Sequence, residues 1–207
     1  MIIQYLQSFM AGLMISLVGS LPPGNLNVAA MQIAVKETFG KALWFSLGVI
    51  VIEMIYLGVI LNAIGRFTIG NNAAVFFRTV SVIFLLVLAV SSLAAVKAKK
   101  HKNIVLDNKI RRSVLGATMS AVNPMQVPFW MGWIIYLLSR SLLIDSAAGI
   151  IVFVLSTGIG TFIALLFFIY AGKTFSEILL RKQKQVNMVT GCLFIVLAVA
   201  QLFKVGQ

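Results

Sequence analysis

Six long apolar runs, most of them ended by Lys or Arg, constrain this chain more than any other feature. A helix rises about 1.5 Å per residue, so about 20 apolar residues cross the hydrocarbon of a bilayer. Runs of that order fall at 2–35, 42–64, 74–96, 114–138, 147–171 and 186–203. The first is too long for one simple crossing, and Pro22-Pro23-Gly24 interrupts it; the fourth is interrupted by Pro124 and Pro128. The expected fold is all-α and membrane-integral, with six transmembrane helices in a single domain over 1–207. Composition agrees: 60% of residues are hydrophobic and 11% charged, whereas a soluble domain is nearer half apolar and a quarter charged. The N-terminus lacks a basic region and a small-residue cleavage site, so it reads as a membrane helix and not as a signal peptide.

The net charge of +12 raises nucleic acid as a partner, but the placement of the charge excludes it. Thirteen of the 17 Lys and Arg fall on one side of the expected topology: Lys36 and Lys41; Lys97, Lys99, Lys100, Lys102, Lys109, Arg111 and Arg112; and Lys173, Arg181, Lys182 and Lys184. The other side holds Arg66, Arg78, Arg140 and Lys204. Cytoplasmic loops collect Lys and Arg, so both termini are expected on the periplasmic or extracellular face. His101 lies in the basic connector and needs no specific role there. Cys192 is the one cysteine, which excludes an internal disulfide, a thiol relay and a Cys-rich metal site.

The two halves share a plan. Each has a proline-broken helix, a glycine-containing helix, a basic loop and a plain helix. The last helices carry matching strings, Val87-Leu88-Ala89-Val90 and Val196-Leu197-Ala198-Val199, and Pro23 and Gly48 are spaced as Pro124 and Gly149 are. The expected organisation is a three-helix repeat over 1–97, a basic connector over 98–112, and a second repeat over 113–207. An odd number of helices turns the second copy upside down, the arrangement of secondary transporters that bind substrate between halves.

Two positions in that plan carry chemistry. Proline removes an amide, and a break persists at membrane depth only against protein or a wet cavity. The free amides and carbonyls at Pro23, Gly24 and Asn25, and at Asn123 and Pro124, suit a carboxylate, an ammonium or a metal ion. Asn27 and Gln126 supply further amides beside them. Glu53, twelve residues past Lys41 and thirteen before Arg66, falls near the bilayer midplane, where an acidic residue costs roughly 2.5–3.5 kcal/mol on insertion scales. It either carries a coupling proton, pairs with a cationic group on a substrate, or is a protonated carboxyl bridging helices. Tyr56, three residues on, is placed to bond to it. Thr157 and Thr161 occupy the matching region of the second half. Trp44, Trp130 and Trp133 either line a cavity or anchor at the interface. Gly158 and Gly160 read as close helix packing and not as a nucleotide loop, because no strand precedes them.

The residues Leu21-Pro22-Pro23-Gly24-Asn25, then Gly40-Lys41-Ala42, then Ala121-Val122-Asn123-Pro124 with Phe129-Trp130 resemble the LysE/RhtB superfamily of small amino-acid exporters over almost the whole chain. Asn25 stands where that family usually has a third motif proline, and Met125 where lysine is usual. The resemblance implies proton-motive-force-driven efflux across a bacterial inner membrane, with substrates in the superfamily ranging from amino acids to metal ions such as cadmium.

The leading expectation is therefore a secondary exporter of an amino acid or amino-acid derivative, whose ammonium and carboxylate match the amides, hydroxyls and single carboxylate. A divalent-cation exporter is second, because hard cations want several oxygen ligands. A membrane assembly factor is third. No enzyme chemistry is indicated: thiol transfer needs paired cysteines, and hydrolytic metal sites need His and carboxylate clusters. No cofactor is expected. The partners are the lipid bilayer and a small-molecule substrate; Ala94-Ala95 and Ala147-Ala148-Gly149 permit a homodimer and pack equally well within one chain.

Overall fold

A computed structural model of the chain describes residues 2–21, 24–66, 110–123, 126–139, 142–143 and 146–181, with separate helical positions between 79 and 94 and between 185 and 199. Six continuous helices run through these residues: α1 (Ile2–Ser20), α2 (Asn25–Lys36), α3 (Phe39–Arg66), α4 (Arg112–Ala121), α5 (Gln126–Ser139) and α6 (Ala147–Arg181). The described residues contain no strand. Ile2–Ser20, Phe39–Asn62 and Ala147–Gly172 are long and apolar enough to cross a membrane. The expected third and sixth crossings are described only at those separate positions, and most of the connector with His101, together with Pro22, Pro23, Pro124 and Met125, lies outside the described residues.

The first apolar run resolves into α1 and α2, and the fourth into α4 and α5. Both breaks fall where proline and glycine were expected to make them. Pro128 is different. It occupies the first turn of α5, where a missing amide hydrogen costs nothing because that turn has no helical acceptor. Further along, α6 does not stop near 171 but continues to Arg181. Its apolar window closes at Gly172, yet no proline or glycine follows before Arg181. The helix therefore carries Lys173 and Arg181 beyond the hydrocarbon on helical backbone and not on a loop. Polarity ends a membrane span; it does not end a helix.

The helices exchange partners between the two sequence halves. Helices α1 and α2 pack on α6, while α4 and α5 pack on α3. Glycines set the closest approaches, where a side chain has no room. A Cβ at Gly48 of α3 would collide with the Ser113 carbonyl of α4, and one at Gly116 of α4 with the Phe45 carbonyl of α3. The other crossing is built alike. A Cβ at Gly160 of α6 would sit 2.5 Å from the Leu13 carbonyl oxygen of α1, and one at Gly12 would sit 2.9 Å from that of Phe153. Gly149, matched to Gly48 by sequence spacing, lies in the first turn of α6 and donates its N–H to Ser146 Oγ at 3.1 Å.

Two apolar clusters hold these crossings. One gathers Ala30, Ile33, Phe45, Val49, Leu165 and Ile169 from α2, α3 and α6. The other gathers Leu57, Leu61, Trp130, Ile134 and Phe153 from α3, α5 and α6. The opposite faces of α1, α3 and α6 leave Leu6, Met14, Val51, Ile55, Leu155 and Phe167 exposed, as lipid-facing surfaces require.

Candidate functional site

Glu53 is buried between the two clusters on α3. Trp130 of α5 donates its indole N–H to Glu53 Oε1 at 3.2 Å. Thr161 of α6 donates its hydroxyl to Glu53 Oε2 at 2.6 Å. Both donors come from the second half of the chain, onto a carboxyl from the first. Thr161 has one hydroxyl proton, spent on Glu53, so its 2.6 Å contact with Ser16 Oγ must be donated by Ser16. The result is a directed line from Ser16 through Thr161 to Glu53, met from the far side by Trp130. Four helices, α1, α6, α3 and α5, each give it one side chain.

Each helix break lies one turn, about 5.4 Å, from this line. Before the first break, Ser20 follows Ser16 by one turn, and its carbonyl accepts the Asn27 side-chain N–H at 2.6 Å. After the second break, Gln126 precedes Trp130 by one turn and donates its amide to Ser120 Oγ at 2.8 Å. Ser120 in turn donates to the Val49 carbonyl, one turn before Glu53, at 3.2 Å. Asn27 and Gln126 thus play matched parts: each lies in the first turn of the second piece of a broken helix and reaches back to a serine near the end of the first. Gln126 Oε1 is buried without a hydrogen-bond partner among the described residues, a state that costs about 1–3 kcal/mol for a polar atom.

The other expected site residues fall elsewhere. Tyr56 does not reach Glu53; its hydroxyl donates to the Ala121 carbonyl at 2.6 Å and so satisfies an orphan acceptor at the end of α4. Thr157 is fully buried and spends its hydroxyl on the Val154 carbonyl of its own helix at 2.7 Å. Asn25 opens α2 from an exposed position, and Gly24 before it gives that helix an extended N-cap with no side-chain cap bond. Asn123 is half-buried within the second break, its N–H on the Ser120 carbonyl at 3.1 Å. Pro23 and Pro124 lie outside the described residues. Of the three tryptophans Trp130 is enclosed, at 1% exposure, while Trp44 is 62% exposed.

Ser16 gave no signal of its own, being one of several small residues in an apolar run. Its register with Ser8 and Gly12 on the buried face of α1 is the pattern that marks it. Thr161 was legible as a polar residue inside a span, and Trp130 only as an aromatic one.

A second polar cluster closes one end of the packed helices. Glu37, between α2 and α3, pairs with Arg112 at the start of α4: Arg112 Nε donates to Glu37 Oε2 at 3.1 Å, and Nη2 pairs with Oε1. Lys41 Nζ lies 3.2 Å from Oε2. Partial burial opposes ionisation of Glu37, but the hydrogen bonds and charges of Arg112 and then Lys41 outweigh it, holding the carboxyl below its ordinary value.

A buried carboxyl gripped from the opposite half, with helix breaks one turn away on either side, is a transporter's geometry more than an enzyme's. Comparison with known proteins gives the family: residues 4–204 match the LysE type translocators. The chain belongs to that family. No curated protein and no solved structure matches it. Among the described residues of this translocator, no three His, Cys, Asp or Glu side chains come together to hold a metal. It is a multi-pass membrane protein of a transporter family.

Proposed function

We propose that this translocator exports a small amphoteric solute, an amino acid or amino-acid derivative, across a bacterial inner membrane by proton-coupled alternating access. Six crossings in two inverted three-helix repeats, with both termini outside the cytoplasm, complete the proposal. The observation that carries it is Glu53, buried in a membrane-spanning helix and held by Trp130 and Thr161 of the other half. A carboxyl there exchanges a proton or accepts an ammonium only when the halves rearrange around it. Gln126 Oε1 offers a second buried acceptor, and the uncapped start of α2 behind Gly24 offers donors to a carboxylate. The exchanged packing of α1 and α2 on α6, and of α4 and α5 on α3, supports the inverted repeat.

A divalent cation is the second reading. It is weaker because Glu53 is the one carboxylate among the described buried residues, and hard cations take six or more oxygen ligands. Counterflow in proteoliposomes with labelled amino acids and divalent metals, on wild type and Glu53→Gln, tests the proposal. Saturable amino-acid exchange whose pH dependence disappears in Glu53→Gln supports it. Exchange of metal alone transfers the assignment to the second reading, and unchanged pH dependence removes Glu53 from the coupling role.

A further inference from the structure

Between the start of α3 and the start of α4 lies a cavity of about 500 Å³, lined in part by Glu37, Lys41, Trp44, Ile110, Arg111 and Arg112. Three cations face one carboxylate there. Glu37 is already engaged by Arg112 and Lys41, and Arg112 keeps Nη1 buried without a hydrogen-bond partner among the described residues. Arg111 stands exposed at the rim. The cavity therefore presents excess positive charge that no described side chain neutralises.

Its position narrows the ligand. The membrane-crossing part of α3 begins at Phe39, so Lys41 and Trp44 lie within its first two turns, at the level of the lipid headgroups. Trp44 is 62% exposed and Ile110 46% exposed, and tryptophan settles at that level because its ring is amphipathic. One wall is cationic and the other apolar and open to lipid. A free phosphate ion matches the first wall and leaves the second unused. We propose that this cavity binds the phosphate group of an anionic phospholipid, with Arg111 and Lys41 as its donors, Arg112 as the charge behind them, and Trp44 and Ile110 against the lipid's glycerol and upper acyl chain. Basic pockets between transmembrane helices take lipid headgroups in this manner. Glu37 opposes the phosphate and also prevents the three cations from repelling one another.

Native mass spectrometry of the full chain in micelles containing phosphatidylglycerol and phosphatidylcholine reads the site directly. The wild type should retain phosphatidylglycerol in preference. Lys41→Gln and Arg111→Gln should each weaken that retention about fivefold, and the double variant about 25-fold, as expected for loss of one and two juxtamembrane charges. Arg66→Gln, at the far end of α3, should leave it unchanged. Circular dichroism and size exclusion establish that each variant is folded. Equal retention of the two lipids overturns the proposal, as does unchanged retention in the folded double variant. So does an equal loss in Arg66→Gln, which would trace the preference to overall charge. Displacement by inorganic phosphate at concentrations comparable with the lipid would make the ligand a free anion and overturn it too.

Discussion

The ion pair of Glu37 and Arg112 makes an asymmetric prediction. Both side chains are 12% exposed, so each charge has lost most of its water. Removing one partner of a buried pair costs about 3–5 kcal/mol, and the residual exposure puts Glu37→Gln near the low end, about 3 kcal/mol. Arg112 would then hold a charge with no anion among the described residues, where its Nη1 already lacks a partner. The converse change is milder. In Arg112→Gln the carboxylate keeps Lys41 at 3.2 Å and loses only its charged hydrogen bonds, about 1.5–3 kcal/mol. The double variant removes both the charge and the need for it, and should cost less than the two singles added together, by about 1–3 kcal/mol. Unfolding in mixed micelles with increasing dodecyl sulfate measures all three. The sign with pH also follows. Because the folded state holds the Glu37 carboxyl below its ordinary value of 4.5, the pair's contribution is complete above that value and is lost as pH falls through the lower folded-state value. Glu37→Gln should abolish that part of the acid dependence. Additive single costs, or a larger loss in Arg112→Gln than in Glu37→Gln, would refute this account of the pair.

Three further outcomes follow from the geometry. Thr161→Val strips Glu53 of one donor and Ser16 of its acceptor, and should destabilise the protein by about 1–3 kcal/mol; Ser16→Ala should then add little on that background and more on the wild type, which a four-variant unfolding series checks. Gly160→Ala places a methyl 2.5 Å from the Leu13 carbonyl oxygen and should cost about 1–3 kcal/mol, whereas Gly40→Ala meets nothing within 4 Å and should stabilise α3 by about 0.5–1 kcal/mol; equal effects would contradict the close crossing of α1 and α6. Trp130→Phe keeps the ring in its cluster but removes the N–H from Glu53, and should lower counterflow with little change in folded yield; unaltered transport would make that hydrogen bond structural alone.

Apolar length and helix-breaking residues made the helices at 2–66 and 112–172 legible. Where the sequence offered a physical cause for a boundary, at Gly24 and around Asn123, the boundary is there. It was illegible where the cause was absent. The polar stretch after Gly172 looked like a loop, but Lys173 to Arg181 contains nothing that opposes a helix, so α6 goes on. The site divides in the same way. Glu53 was legible because a carboxyl within a span is costly enough to need an explanation. Its partners were not, because hydrogen bonds between distant segments leave no periodic trace: Trp130 is 77 positions away and Thr161 is 108. Tyr56 shows the converse error. Three-residue spacing put it beside Glu53 on α3, but the unpaired Ala121 carbonyl across the helix crossing is the stronger attractor for its hydroxyl.

The placement of these partners bears on how a solute could drive movement. Both donors to Glu53 belong to the second half of the chain, and the guanidinium that Glu37 holds stands where the connector enters that half. The two carboxyls therefore tie the halves together at two depths, one near the middle of a membrane-crossing helix and one at its end. A rigid-body rocking of one half against the other must stretch at least one tie. On the proposed reading, an ammonium or a proton arriving at Glu53 competes with Trp130 and Thr161 for the same two oxygens, and weakens the inner tie as it binds. Binding energy is then spent on the contact that opposes rearrangement, which is the differential affinity any ligand needs to shift a conformational equilibrium. A solute bound only at the helix breaks, without touching Glu53, would leave both of these ties intact and would have to act through the Gln126–Ser120–Val49 link at the second break.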